Sequence, residues 1–329
     1  MNANRIRIMK YTVLFLLFFL ISARSFSASG TEEESVKKDM SLQVFVSILP
    51  QSSLVERIGG QHVAVSVLVE AGKDPHTFEL TPKQMIDLGK ADVYFGIGFP
   101  FEKQLLEKVR RVNPRFLLVE TDEGVRRREI EAHAGTGGRA AHSQSVELKP
   151  SEAQVEYQFE ETHRYGSGEP DPHIWLAPSA LRIICMNIYK GLSGMDEARE
   201  PDYKRNLEQL ISELDRLDAR FRSLLEPHRG KAFFVYHPAF GYFADEYGLL
   251  QLPVEIEGKS PTPKQIQWII ERARRDGVKI IFVSPQFDRK SASIVAKAIG
   301  GSVVFIDPLA KDVLENLADI AKKIEGALK

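Results

Sequence analysis

Among the residues beside prolines in this chain are three histidines, His76, His173 and His237, and an aspartate, Asp307, far apart in sequence. His76 and His173 each close an Asp-Pro-His triplet, Asp74-Pro75-His76 and Asp171-Pro172-His173. His237 precedes Pro238, and Asp307 precedes Pro308. Proline fixes its own φ and restricts the residue before it, so a side chain next to proline rides on a stiff backbone. Stiffly placed imidazoles with one carboxylate are a donor set for a transition metal. Nitrogen-rich sites suit zinc, and oxygen-rich ones suit manganese or magnesium. The expectation is one zinc ion held by His76, His173, His237 and Asp307, with water as the alternative fourth ligand. Of the remaining five histidines, His62 and His228 lie in turn-like sequence. His133, His142 and His163 fall in a Gly-, Ser- and Glu-rich stretch, residues 131–170, and read as a flexible acidic tether with weak metal-capturing potential.

The elements that must position these residues alternate. Apolar β-rich runs at Leu42–Leu49, Val63–Val69, Asp92–Ile97 and Phe116–Glu120 are separated by helical patterns at Ser52–Ile58, Thr81 onward and Phe101–Arg111. A second set follows, with strands at Ala232–Tyr236, Leu252–Ile256, Lys279–Ser284 and Val303–Ile306 and helices between and after them, the last at Val313–Leu328. Alternation of this kind implies parallel sheets with helices on both faces. Thr81-Pro82 and Thr262-Pro263 are helix starts, with Thr at the N-cap and Pro at the first helical position. Asp202–Leu225 carries one apolar stripe at three- and four-residue spacing and spans on the order of 35 Å as a helix. The fold class is therefore α/β: two similar lobes joined by one long rigid helix, with the metal in the cleft between them. The lobes are residues 42–200 and 228–329, the linking helix 201–227. His76, His237 and Asp307 all follow strands, where open α/β sheets bind their ligands.

The chain has 329 residues, 43% of them hydrophobic and 27% charged. Arg5, Arg7 and Lys10 precede an 11-residue apolar run, Tyr11–Ile21, and small residues follow it. Residues 1–29 read as a secretory signal peptide, since the run is too short to span a bilayer comfortably. Residues 30–41 read as a disordered leader. No cysteine follows the apolar run, so no lipid attachment site is expected, and the single Cys185 excludes an intramolecular disulfide. Without residues 1–29 the chain carries 40 basic and 45 acidic residues, a net −5, which gives no basic face for nucleic acid.

Residues 42–329 resemble the ZnuA-type zinc-binding components of bacterial metal ABC importers, the cluster A-I solute-binding proteins. The resemblance is carried by Asp74–Pro82, Asp171–Leu176, His237–Phe243, Ser284–Phe287 and Asp307–Leu309. It implies a periplasmic, monomeric zinc carrier that delivers to a membrane ABC permease. It also implies ligands His76, His173, His237 and, in some members, Asp307. Manganese members carry glutamate at the third position, so His237 favours zinc over a manganese or iron carrier. Ala177 stands where the family often has aspartate, and the loop is poorer in histidine than in many zinc members. The resemblance implies no enzyme activity. A zinc hydrolase is the reading from another class, with Glu79 or Glu257 as base, but no His-Glu-x-x-His motif supports it. An adhesin with structural zinc is a third. For a carrier, neutral imidazoles must bind the ion, so affinity should fall as pH drops through about 6.5. The long linking helix implies a small domain movement.

Overall fold

In β1, Leu42–Ile48, successive residues face opposite ways. Val44, Val46 and Ile48 join one hydrophobic core, while Phe45 joins another on the far side of the sheet. The same split recurs in β7, Ala232–Val235, where Phe233 and Val235 share a core that Phe234 does not. Strands buried on both faces need helices on both faces. The computed structural model describes residues 41–131, 166–255, 262–287 and 289–329. The expected signal peptide, the leader up to residue 40 and loop residues 132–165, with His133, His142 and His163, lie outside the described residues.

The first sheet adds β2 (Val63–Val69), β3 (Val93–Gly96) and β4 (Leu117–Glu120), in the order β2-β1-β3-β4. The second contains β8 (Leu250–Pro253), β9 (Ile280–Val283) and β10 (Ser302–Phe305), in the order β10-β9-β7-β8. Every pair in both sheets is parallel. Between the two sheets in sequence lies a short antiparallel ribbon of β5 (Glu129–Glu131) and β6 (Gly166–Pro170). It closes the base of the 131–170 segment.

Both expected Thr-Pro starts form. Thr81 caps α2 (Pro82–Leu88) by accepting from Gln84 N, and Thr262 caps α7 (Pro263–Arg275) by accepting from Gln265 N. In each case the glutamine side chain returns the bond, a capping box. The first helix, α1, starts earlier than its polar residues suggest and covers Leu49–Gly59. Pro50 sits in its first turn, and the Gln51 side-chain oxygen accepts from Ser47 N and Ile48 N at 3.0 and 3.3 Å. Helices α3 (Pro100–Val112), α4 (Pro178–Met195), α6 (Gly241–Tyr247), α8 (Arg289–Ala298) and α9 (Val313–Leu328) complete the set. In α4, Gly191 lies against the first sheet so closely that a Cβ would stand 2.7 Å from Phe95 Cε1, and only glycine fits.

The long helix α5 covers Glu200–Leu225, followed by a single 3-10 turn, Glu226–His228. Its buried residues Tyr203, Leu207, Leu210, Leu214, Asp218, Phe221 and Leu225 recur at three- and four-residue steps. That stripe packs on α1 and α4 of the first lobe and on α9 of the second. One hydrophobic core therefore runs through both lobes, from Val46 through Leu214 to Leu317. Phe221 is 1% exposed and meets the Phe243 and Tyr247 rings at 5.9 and 5.7 Å. Phe221→Ala is expected to cost about 3–5 kcal/mol, read by denaturant unfolding of the metal-free protein. A loss below about 1 kcal/mol would mean that α5 is a tether and not a packed strut.

Candidate metal centre

The three Asp-Pro-X triplets fold alike. Asp74 Oδ1 accepts from His76 N at 2.9 Å, Asp171 Oδ1 from His173 N at 2.9 Å, and Asp307 Oδ1 from Leu309 N at 3.0 Å. In each, the aspartate side chain turns back on the amide two residues ahead, with proline fixing the residue between. In the first two triplets the third residue is a histidine, and the turn throws its ring towards the interlobe cleft. His76 sits in the one-turn helix Pro75–Thr77 after β2, and His173 directly precedes the turn Ile174–Leu176 that leads to α4. His237 comes from the second lobe, just past β7.

Their rings meet. His173 Nε2 lies 3.3 Å from His76 Nε2 and 3.1 Å from His237 Nε2, and ligand atoms of all three fall within 4.8 Å of one another. Tetrahedral zinc with bonds of about 2.0–2.1 Å needs nitrogens about 3.3 Å apart. The tautomers follow from what lies behind the rings. His173 Nδ1 is 2.7 Å from Asp171 Oδ1, and His237 Nδ1 is 2.5 Å from Glu255 Oε1. A carboxylate only accepts, so both Nδ1 atoms carry the proton and both Nε2 lone pairs face the shared space. Two lone pairs 3.1 Å apart with no proton between them repel, and a cation between them removes that repulsion.

Aromatic rings wall the group. Phe287 stacks on His237 at 4.6 Å, Trp175 lies 5.3 Å from His173, and Phe99 meets His76 edge-on at 5.9 Å. The small space between the rings, lined also by Gln286 and Leu309, has room for a small ion or one water. His173 and His237 are buried, and His76 forms the solvent edge. A wider groove outside β2 shares Asp74 with the centre but holds none of the three histidines.

Asp307, expected as the fourth ligand, is not among the groups brought together. The reason lies in its own triplet. Its third residue is Leu309, and Asp307 caps its own turn as Asp74 and Asp171 cap theirs. Its Oδ1 is taken by Leu309 N and by Gln286 Nε2 at 3.0 and 2.9 Å. Glu79 is exposed on the outer groove, Glu257 lies outside the described residues, and Ala177 is buried. His62 bonds Asp202 across 3.1 Å and His228 is buried near Glu325, both away from the centre. The residue that spacing could not find is Glu255. It lies beyond β8, and only the parallel pairing of β7 with β8 brings it beside His237.

Asp171 ties the centre to both lobes. It is fully buried, and its Oδ2 accepts from Arg128 Nη1 at 2.9 Å. Arg128 Nε reaches Asp245 Oδ2 on α6 at 3.0 Å, and Tyr242 OH donates to Asp171 O at 3.0 Å. Burial pushes the Asp171 carboxyl up, but His173 and Arg128 outweigh it and hold the group below the ordinary range. Trp175 Nε1 donates to Pro308 O at 2.7 Å, and Lys311 pairs with Glu56 at 2.8 Å, closing further bridges between lobes.

Burial lowers the His173 pKa against the pull of Asp171. His76 is also lowered, by burial of its inner edge and then by His173 and His237. Its outer edge stays in water, which limits the burial contribution. Neutral imidazole thus persists in both below the ordinary value of 6.5. This moves the expected onset of acid release. Three ordinary histidines would give log Kd a slope approaching three per pH unit below 6.5. Here we expect a slope clearly below three between pH 6.5 and 5.5, measured by zinc titration, and a slope near three would contradict the lowered values of His76 and His173. The sign for the fold is separate. Below pH 6.5 the unfolded chain takes protons at these positions that the folded chain refuses, so the metal-free protein loses stability as pH falls.

Known proteins place the chain in a family. The family described as "Zinc-uptake complex component A periplasmic" matches residues 44–326. The chain belongs to this zinc-uptake component A family. A crystal structure of ZnuA superposes with a TM-score of 0.75 at 32% identity, covering 88% of this chain and all of that one. The zinc-binding protein AdcA of Streptococcus pyogenes serotype M3 is 26% identical over 303 residues, 92% of this chain and 56% of AdcA. A Chlamydia trachomatis protein is 27% identical over 307 residues, 93% of this chain and 97% of that one. The laminin-binding protein Lmb of Streptococcus agalactiae, at 22% identity and a TM-score of 0.70, shares the fold. Zinc-uptake component A proteins are metal-binding solute-binding proteins of two parallel four-stranded sheets joined by a long helix, and the arrangement of β1–β4, α5 and β7–β10 is theirs.

Proposed function

We propose that this chain is an exported zinc carrier. It captures one Zn2+ between its lobes with His76, His173 and His237 and delivers it to a membrane ABC permease, acting as a monomer and without catalysing a reaction. The observation that carries the reading is the convergence of three imidazoles, with His173 Nε2 at zinc spacing from the Nε2 atoms of both His76 and His237 and two of the rings backed by buried carboxylates. The names of ZnuA and AdcA support zinc as the cargo. Three imidazole donors and no carboxylate among them favour zinc over manganese. Export rests on the charged and apolar residues 1–29, and among the described residues no helix is long and apolar enough to cross a membrane. The core that runs through both lobes supports a small domain movement on loading. Release then falls to the permease, which must pull the His237 side of the centre from the His76 and His173 side.

The test is competition. The mature protein is stripped of metal, offered equimolar zinc and manganese, and its content measured. One zinc per chain with little manganese is expected. Manganese in excess would assign the chain to a manganese or iron carrier, and more than one zinc per chain would bring in His133, His142 and His163. Turnover of an ester or amide by the zinc form, faster than by free zinc, would favour a hydrolase.

A further inference from the structure

Gln286 lines the same small space as His76, His173 and His237. It lies in the turn after β9, where Phe287 N donates to Ser284 O at 3.1 Å. Its Nε2 donates to Asp307 Oδ1 at 2.9 Å. Chemistry fixes which end of this amide is which. Asp307 as a carboxylate only accepts, so the NH2 group must face it and the carbonyl oxygen must face away. That Oε1 atom is buried, and among the described residues no group donates to it. Buried carbonyl oxygens are almost always paired, so an orphan beside a metal-binding group asks for a partner from the ligand side.

We infer that Gln286 supplies the fourth polar contact of the centre, its Oε1 accepting a hydrogen bond from the water that fills the fourth position of the bound ion. Asp307 then acts at one remove. Held by Leu309 N on one side, it fixes the direction of the Gln286 amide and does not touch the ion. Gln286 is in this sense a positioning residue, and it has a consequence for specificity. The groups facing the ion are three imidazoles and one amide, all neutral, so the carboxylate oxygen that manganese prefers is kept back behind the amide. The inference rests on the three-histidine reading of the site.

The experiment compares the full mature chain with Gln286→Met, Asp307→Asn, the double variant and His173→Ala. It measures zinc affinity by chelator competition and the pH dependence of the visible spectrum of the Co2+ form. Gln286→Met has the same length and removes both polar atoms. It is expected to weaken zinc about tenfold, the usual scale for a partner behind the ligands, and to shift the pH at which the cobalt-bound water ionises. A residue with a merely structural role would leave that pH in place. Asp307→Asn frees the amide to turn round and is expected to weaken zinc to a similar extent. The double variant should be no weaker than Gln286→Met, because Asp307 acts only through the amide. The inference is overturned if Gln286→Met is silent in both readouts. It is also overturned if Asp307→Asn costs a hundredfold or more and costs the same in the Gln286→Met background, for then Asp307 itself ligates. His173→Ala separates the two levels. Zinc binding unchanged by it would remove the three-histidine reading altogether, whereas loss in His173→Ala with a silent Gln286→Met removes only the role of Gln286.

Discussion

His173→Ala is expected to abolish stoichiometric zinc binding, weakening the site on the order of a thousandfold. Structural zinc in zinc-finger peptides is worth about 10–16 kcal/mol; on that scale one of three nitrogen donors accounts for several kcal/mol, and about 4 kcal/mol is a thousandfold. His173 is the middle member, at 3.3 Å from His76 and 3.1 Å from His237. Its loss leaves two donors on opposite lobes with nothing between them. The fold should survive, because Asp171 keeps Arg128 and its own backbone contacts. Chelator-competition titration and calorimetry of the metal-free form read the two effects separately. Retained zinc at one per chain would place the ion elsewhere.

Asp171→Ala should do damage of two kinds. Removing the carboxylate behind His173 Nδ1 frees the ring to turn and to change tautomer, which costs metal affinity about 10–100-fold. It also leaves Arg128, only 15% exposed, without its buried partner. Breaking a buried ion pair from one side costs about 3–5 kcal/mol, and the lower end is expected here because Asp245 still pairs with Arg128. The pH sense is fixed by the depressed Asp171 value. Its contribution is fully present above the unfolded carboxyl pKa near 3.8 and is lost as pH falls through the lower folded value. Urea unfolding at pH 7 and pH 3 reads this directly. The wild type should lose its advantage over Asp171→Ala as the pH falls, and an equal gap at both values would show that Asp171 stabilises by packing alone.

Much of this architecture is legible in the residues. Alternating apolar runs gave parallel strands because both faces of each sheet are covered, and Thr81, Pro82, Thr262 and Pro263 mark their helix starts through local bonds alone. The Asp-Pro-His triplets pointed to the centre for the same reason, since each turn is closed by its own aspartate. What escapes local reading is whatever depends on which strands are neighbours. Glu255 reaches His237 only because β8 pairs with β7, and Gln286 faces the site only because β9 lies on the other side of β7. The ribbon of β5 and β6 is equally silent, with three residues in one strand and a Gly-rich partner held by tertiary pairing. Leu49 reads as the end of a strand because it is apolar, yet Pro50 suits a first helical turn and α1 begins at Leu49. Asp307 stands apart from the three histidines, a difference hidden in the sequence because a capping aspartate and a ligating one look alike before proline. The residue after the proline, Leu309 in place of histidine, is the feature that separates them.

The most direct test is anomalous diffraction at the zinc edge from crystals of the zinc-loaded mature protein. One peak per chain is predicted, about 2.0–2.1 Å from the Nε2 atoms of His76, His173 and His237. A peak bound by other residues, or one that leaves out any of these three nitrogens, would contradict the account.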